Sequence, residues 1–569
     1  MFNKINLKQK IYTLLVLLLI SGFCFTCDTK TSMEPISDNN DAANLFYATW
    51  VEKSLHIPQE TEMIEQIIED ADVIVNIDYA DKIKRISPYY SGINATNYTG
   101  NYITDQKLVQ NISKISPGFI RFPGGDASNV YFFNGLPNDL PPAALTLDSK
   151  WTEFGNGLEI LNWRLNTPGF YSFISAVNSE GFITVNYPYA RYGLGDDPVA
   201  TAASLAADWV KYDNGMTKFW EIGNETYACW EGGFRINTNL NQDGQPEYIN
   251  GQLYGQHFKI FADSMRAAAG RIGVEIYIGA VFADNDFIWD GSNRNITKTW
   301  NLQLAAELKR DDGSNYADFI TLHSYFLDDN DTEPEEIIDT YIKVEEMQNF
   351  IYGKLANAGT AKVPLVLSEW NVARRKQTTH VGAIQAIAVQ CKMQELNYGG
   401  SCYFAIKDYW RSSDGDFAMF SHADPDFAES EPYPNFYHFY YMNRVMGDEV
   451  ISNGIESNND DILVFSSSYS QGGIGIVLIN KSFVGHIVDI NLSNFTLGDK
   501  YYWYELIKEP GIDDWSEKVL VNNITNDRFP KGGPDGNLDE IPARVQNCEN
   551  GIKLLSKGLS VNYILINGE

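Results

Sequence analysis

Between Tyr89 and Ala405 eight short apolar runs alternate with stretches of helical spacing, and few folds accommodate that rhythm. The runs are Tyr89 to Ile93, Gly118 to Phe122, Phe182 to Asn186, Lys218 to Gly223, Glu275 to Val281, Phe319 to His323, Leu365 to Ser368 and Ser401 to Ala405. Helical periodicity falls at Phe170 to Ser179, Ala200 to Tyr212, Gln256 to Ala269, Pro334 to Ala356 and Val381 to Leu396. A helix between two strands returns the chain to its starting end, so the strands pair in parallel. Eight such units over about 360 residues predict an α/β fold, a (β/α)8 TIM barrel with long loops. An open doubly wound sheet is disfavoured, because no glycine-rich phosphate loop follows any run.

After Met446 the texture changes to short strands at turn spacing, among them Asp461 to Phe465, Gly473 to Ile479 and Ser560 to Ile566, which reads as a C-terminal all-β sandwich. Val73 to Asp78 alternates like a half-buried strand. Lying ahead of the barrel, it is expected to join the sandwich. The predicted layout is an export signal in 1–26, a tether and short helical segment in 27–71, the joining strand in 72–85, the barrel in 86–446 and the sandwich in 447–569.

Lys4, Lys8 and Lys10 precede an apolar run from Ile11 to Phe23, the layout of an export signal too short to span a bilayer. Cys24-Phe-Thr-Cys27 follows and resembles a bacterial lipobox with Cys27 as the lipidated residue. An exported, lipid-anchored protein of the outer membrane or surface of a Gram-negative bacterium is therefore expected, with periplasmic or secreted as the alternatives. With 43 Lys and Arg against 74 Asp and Glu the net charge is −31, a field that repels nucleic acid. Cys24 and Cys27 lie in a segment expected to be cut, and no Cys or His pair inside the fold has metal-ligand spacing, so neither a metal site nor a cofactor nor a disulfide is predicted.

In a TIM barrel, chemistry sits where strands end. Two strand ends carry acids, in Lys218-Phe-Trp-Glu-Ile-Gly-Asn-Glu225 and in Pro364-Leu-Val-Leu-Ser-Glu-Trp-Asn371. An acid closing an apolar strand is costly to bury without a partner, and two on one barrel rim match the carboxyl pair that glycoside hydrolysis needs. These motifs resemble the acid/base and nucleophile segments of clan A glycoside hydrolases. Phe119-Ile-Arg-Phe-Pro-Gly-Gly125 and Leu322-His-Ser-Tyr325 are similar in the same order, and Ala206-Ala-Asp-Trp-Val-Lys-Tyr-Asp-Asn214 resembles the α-L-arabinofuranosidases of that clan.

The resemblance implies Glu225 as general acid/base, Asn224 beside it binding a sugar hydroxyl, and Glu369 as nucleophile of a retaining mechanism. Arg121 is expected to hold Glu369 ionised, Tyr325 to donate to it, and His323 to line the cleft. Glu221 reads as an interior acid paired with a base. The pattern departs from the arabinofuranosidases at Ile93-Asn94-Ala95 and at Asp126-Ala-Ser, positions that grip the terminal sugar, and a long insertion from Asn129 to Thr167 contains Trp151 and Trp163. An agarase-like or other endo-acting enzyme on a plant or algal polysaccharide is thus the companion reading. Trp230, Trp370, Tyr409 and especially Trp410 are candidate stacking surfaces for sugars. Arg374-Arg375-Lys376 is either a solvated face or a seat for an anionic sugar. A catalytically inactive glycan-binding lipoprotein is the alternative function. A polysaccharide lyase would want a Tyr or His base in place of an acid pair.

Overall fold

Each apolar run supplies one strand of a closed parallel barrel. In a computed structural model, which describes residues 45–135, 164–192, 196–239, 243–287, 296–326, 333–373, 375–412, 415–456 and 459–568, the strands are β1 (Gly92–Asn94), β2 (Phe119–Phe122), β3 (Glu180–Val185), β4 (Phe219–Ile222), β5 (Tyr277–Val281), β6 (Phe319–Tyr325), β7 (Leu365–Asn371) and β8 (Tyr398–Tyr403). They pair in chain order, and β8 closes on β1. The expected Cys27 and the export signal lie outside the described residues, as do Trp151, Trp163 and Arg374. Among the described residues no helix is long and apolar enough to cross a membrane.

The helices carry the signals that made them legible, and some that were overlooked. Asn166, Asp197, Asn250 and Thr379 each accept an amide hydrogen bond at a helix start, which relieves one unpaired N–H. Helices Gln106–Ile115, Ile296–Glu307 and Pro434–Val445 were not anticipated. The stretch expected as one helix from Pro334 to Ala356 is broken into Pro334–Asp339, a 3-10 turn at Thr340–Ile342 and Lys343–Ala358.

The helical segment expected between Ala42 and Ala71 is the main correction. From residue 45 onward this stretch forms a turn, irregular chain and a short strand, Thr61–Met63, which pairs in parallel with Ala543–Val545. Its apolar residues serve tertiary contacts in place of a helix face. Leu45 and Phe46 are buried with Phe119, Phe182, Phe219 and Phe319, the opening residues of strands or their neighbours. The Phe46 ring stacks on Phe219 at 5.3 Å and meets Phe119 and Phe319 edge-on. A Cβ on Gly399 would stand 2.2 Å from that ring, so only glycine leaves room for it.

The second layer is an 11-stranded mixed sheet. Val73–Arg85 runs inside it, antiparallel to Glu449–Ile455 and parallel to His486–Ser493. Val73, Val75 and Ile77 point to one apolar cluster with Ile474, Ile476, Ile564 and Ile566. The opposite face, including Val477, Ile479 and Tyr563, joins the barrel's own core. That double burial explains why Ile474–Asn480 is buried at every position and apolar as far as Ile479 instead of alternating.

Two buried histidines stitch the layers together. His438 Nδ1 lies 2.9 Å from the Tyr563 hydroxyl, its Nε2 lies 3.2 Å from His380 Nδ1, and His380 Nε2 lies 2.9 Å from the Leu559 carbonyl. Burial lowers His380 to about 4, and burial with its neighbour's charge lowers His438 well below the ordinary range. Unfolded imidazoles titrate near about 6.5. Between those values the unfolded chain binds more protons at these two sites, so their contribution to stability rises with pH across the window and falls as pH drops from about 7 toward about 4. In scanning calorimetry, the change in melting temperature from about pH 7 to about pH 5 should be less favourable in the wild type than in His380→Gln, which removes one of these imidazoles. Phe46→Ala should cost about 3–5 kcal/mol in denaturant unfolding at neutral pH.

Candidate active site

Strand parity delivers the site. On β6, Phe319, Thr321, His323 and Tyr325 share one face, and on β7 Glu369 follows an irregularity that shifts the register, pairing Leu322 with Leu367 but His323 with Glu369. Ser368 takes the extra position, and its hydroxyl lies 3.1 Å from His323 Nε2. Trp370, of opposite parity, is wholly buried against Phe326 and Tyr403. It is core packing, which removes it from the candidate sugar platforms.

Arg121 on β2 is fully buried and its guanidinium joins four strands or their ends. Its Nε donates to Glu221 at 2.5 Å, Nη1 to Asn94 at 2.8 Å and to Glu369 Oε2 at 3.0 Å, and Nη2 to Asn224 at 2.8 Å. Glu221 therefore has the cationic partner that an interior acid requires, and Thr184 adds a hydrogen bond at 2.7 Å. Asn94, one of the positions where the pattern departs from the arabinofuranosidases, donates to the Ser368 and Cys402 carbonyls and is buried with them. Gly125 takes φ 54°, a left-handed conformation that glycine adopts without strain, where the β2 loop passes Glu369.

Glu225 ends a Gly223-Asn224-Glu225 turn with φ 40°, a left-handed conformation rare for such a residue and common at functional positions. One oxygen of Glu225, one of Glu369 and a ring nitrogen of His323 all lie within 4.8 Å of one another. Tyr325 donates to Glu369 Oε1 at 2.9 Å. The Trp230 indole donates to Glu225 Oε2 at 2.7 Å, while His323 Nδ1 stands 3.1 Å from Oε1. Two carboxylates and an imidazole at this spacing could in principle share a cation. Arg121 already brings positive charge to the Glu369 carboxylate, which opposes a metal there.

Burial acts to raise the Glu225 carboxyl, but the hydrogen bond and charge of His323, the Trp230 hydrogen bond and the Arg121 charge outweigh it and lower it. Burial acts to lower His323, but the Glu369 charge and the hydrogen bond to Glu225 raise it. Each group of this coupled pair thus sustains the charge of the other. Around them, burial followed by the Glu369 and Glu225 charges raises Asp126 to about 6. Asp284 also rises to about 6, through burial and the Glu225 charge against a hydrogen bond from Ser324. Glu231, buried and accepting from Asn224 at 3.2 Å and from Asn129, is pushed well above the carboxylate range by burial and then by Asp126 and Glu225.

The closed eight-stranded barrel with its β layer is a fold shared with solved glycoside hydrolases. The α-L-arabinofuranosidase of Thermotoga maritima solved with arabinose superposes with a TM-score of 0.62 at 16% identity, covering 87% of this chain and 100% of that one. A family 51 arabinofuranosidase from Xanthomonas axonopodis pv. citri gives 0.60 at 12% identity over 88% and 100%. A Paenibacillus polymyxa family 44 xyloglucanase gives 0.53 at 11% over 87% and 99%. The shared property is the fold. No protein-family model and no curated protein sequence matches the chain.

The remaining sequence candidates are scattered. Tyr409 is exposed and stacks on Tyr98 at 6.0 Å. Trp410 is half-buried, its amide donating to the His422 carbonyl at 3.3 Å, and among the described residues no hydrogen bond or ring contact joins its indole to either glutamate. Lys376 Nζ sits 3.0 Å above the Trp515 ring, committed to the second layer, and Arg375 is exposed. Sequence reasoning missed Glu231 and Asp284. Asp284 had a signal, three residues past the end of β5; Glu231 had none.

Replacing His323 by Asn should move the alkaline limb of the kcat/KM profile to lower pH, because the last proton then leaves a carboxyl instead of an imidazolium raised above its ordinary value. Initial rates across pH on whichever glycoside is turned over check this.

Proposed function

We propose that this chain is a retaining glycoside hydrolase acting on a plant or algal polysaccharide or its oligosaccharides. The observation that carries the reading is the approach of Glu225 and Glu369 to within 4.8 Å at the barrel rim. Retaining pairs stand about 5–5.5 Å apart, whereas inverting pairs leave about 6.5–9.5 Å for a water. The partners divide the labour. Glu369, paired with Arg121 and Tyr325, is suited to attack the anomeric carbon, forming a covalent glycosyl-enzyme as the leaving oxygen departs. Glu225, in a proton-sharing contact with His323, is suited to protonate that oxygen and then to deprotonate the incoming water.

The fold is shared with enzymes named for arabinofuranoside, xylan, glucan and xyloglucan hydrolysis, which sets the first glycans to test. The acid-rich rim and the net charge of −31 favour a neutral substrate. We further propose export and anchoring through Cys27.

Glu369→Gln should reduce turnover on the order of 10⁴-fold with the melting temperature preserved. Adding azide to Glu225→Ala should yield a glycosyl azide of retained configuration. Product chromatography from arabinan, arabinoxylan, β-glucan, xyloglucan and agarose checks activity and separates terminal from internal cleavage. Wild-type rates in Glu369→Gln would overturn the assignment.

A further inference from the structure

Resting on the glycosidase reading, we propose that Glu231 is a positioning residue for the reaction: it clamps the Asn224 amide against Arg121, and thereby fixes both the turn that carries Glu225 and the donor that Asn224 turns to the substrate. Glu231 lies outside the strand-end motifs and touches neither Glu225 nor Glu369 by hydrogen bond, so it acts through Asn224 alone.

Asn224 is pinned at both ends. Its Oδ1 accepts from Arg121 Nη2 at 2.8 Å, and because a guanidinium offers only donors the amide cannot turn over. Its Nδ2 therefore faces Glu231 Oε1, at 3.2 Å. The second hydrogen on that nitrogen has no protein acceptor among the described residues, so the substrate atom it meets is an acceptor, a hydroxyl or ring oxygen. Glu231 is fixed from behind by Asn129, which belongs to the Gly125–Val130 segment after β2. The pinning matters because Glu225, next in the chain, has φ 40°. A left-handed conformation of this kind persists only where its surroundings over-determine it.

The surroundings of Glu231 call for a neutral carboxylic acid. It is 6% exposed, and the charges that press on it hardest, those of Asp126, Glu225 and Glu369, are all negative. It lines a polar cleft of about 650 Å³ that opens next to Trp230 in the chain, but the cation of that wall, Arg235, is paired with Glu247 at 2.8 Å. An ionised Glu231 would be a buried charge with amide partners only, which is costly. Its proton has an acceptor. The Asn129 amide is not pinned, since its Oδ1 is buried without a partner among the described residues, and turned over it accepts the Glu231 O–H. Donors then point one way from Arg121 through Asn224 and Glu231 to Asn129, and each hydrogen bond strengthens the next. A neutral acid completes this chain without adding negative charge beside the catalytic pair.

The test uses the full chain and the glycan best cut among arabinan, arabinoxylan, β-glucan, xyloglucan and agarose. Glu231→Ala should lower kcat/KM on the order of 10²-fold, and Glu231→Gln, which keeps an oxygen toward Asn224, should recover most of that loss. In an Asn224→Ala background Glu231→Ala should cost nothing further, because the residue it acts through is gone. Both limbs of the pH profile should stay in place in Glu231→Gln, where one neutral group replaces another. Infrared difference spectra of wild type minus Glu231→Gln at neutral pH should carry the carbonyl stretch of a protonated carboxyl. Limbs that move to lower pH in Glu231→Gln, the shift produced by removing a negative charge, overturn the proposal. So do a carboxylate band in that difference, a Glu231→Gln no better than Glu231→Ala, or the same loss from Glu231→Ala with and without Asn224. A wild type that cleaves no glycan strikes the glycosidase reading, and the positioning role falls with it; the infrared result does not depend on turnover and keeps the two failures apart.

Discussion

The buried guanidinium of Arg121 is the interaction on which the site depends. It carries one permanent charge in a place with no water exposure, and it is tolerated because two carboxylates and two amide oxygens surround it. Its planar fork fixes angles as well as distances, so Glu221, Asn94, Glu369 and Asn224 are positioned by one group. Lysine could supply the charge but not the geometry. Because Arg121 stands on β2 and its partners come from β1, from β4 and the turn after it, and from β7, barrel closure and site assembly are one event.

From that centre, the two glutamates acquire different surroundings. Glu369 faces a fixed cation and a tyrosine whose hydroxyl burial keeps protonated. Glu225 faces an imidazole and an indole, groups that move or hold a proton. Two carboxyls within 4.8 Å of each other thus sit in different electrostatic surroundings. The outer acids, Asp126 and Asp284, are raised to about 6, which limits the negative charge stacked around the pair once the pH falls to about 6 and below. The lower end of the barrel is closed by Phe46, so side chains fill the cylinder and the chemistry is confined to the opposite rim.

Legibility followed distance along the chain. The eight strands could be read because each is a local apolar run, and Glu225, Glu369, Arg121, His323 and Tyr325 could be singled out because each ends such a run. Trp370 was misread because strand parity near a register shift decides which way it points. The Ala42 to Ala71 stretch was misread because its apolar residues answer to a phenylalanine cluster assembled from four distant strands. Glu231 was invisible, since an acid in a glycine-rich loop looks solvated until the fold closes over it.

By itself the sequence determined a parallel α/β barrel followed by a β layer, an acidic surface and two acids at strand ends, because periodicity, net charge and residue type are local or additive properties. Only the tertiary structure decided that those acids stand within 4.8 Å, that His323 and Trp230 attend one while Arg121 and Tyr325 attend the other, and that a polar pocket opens beside Trp230. The reason is that proton sharing and ion pairing fall off within a few ångströms, and which residues come that close depends on how the barrel closes.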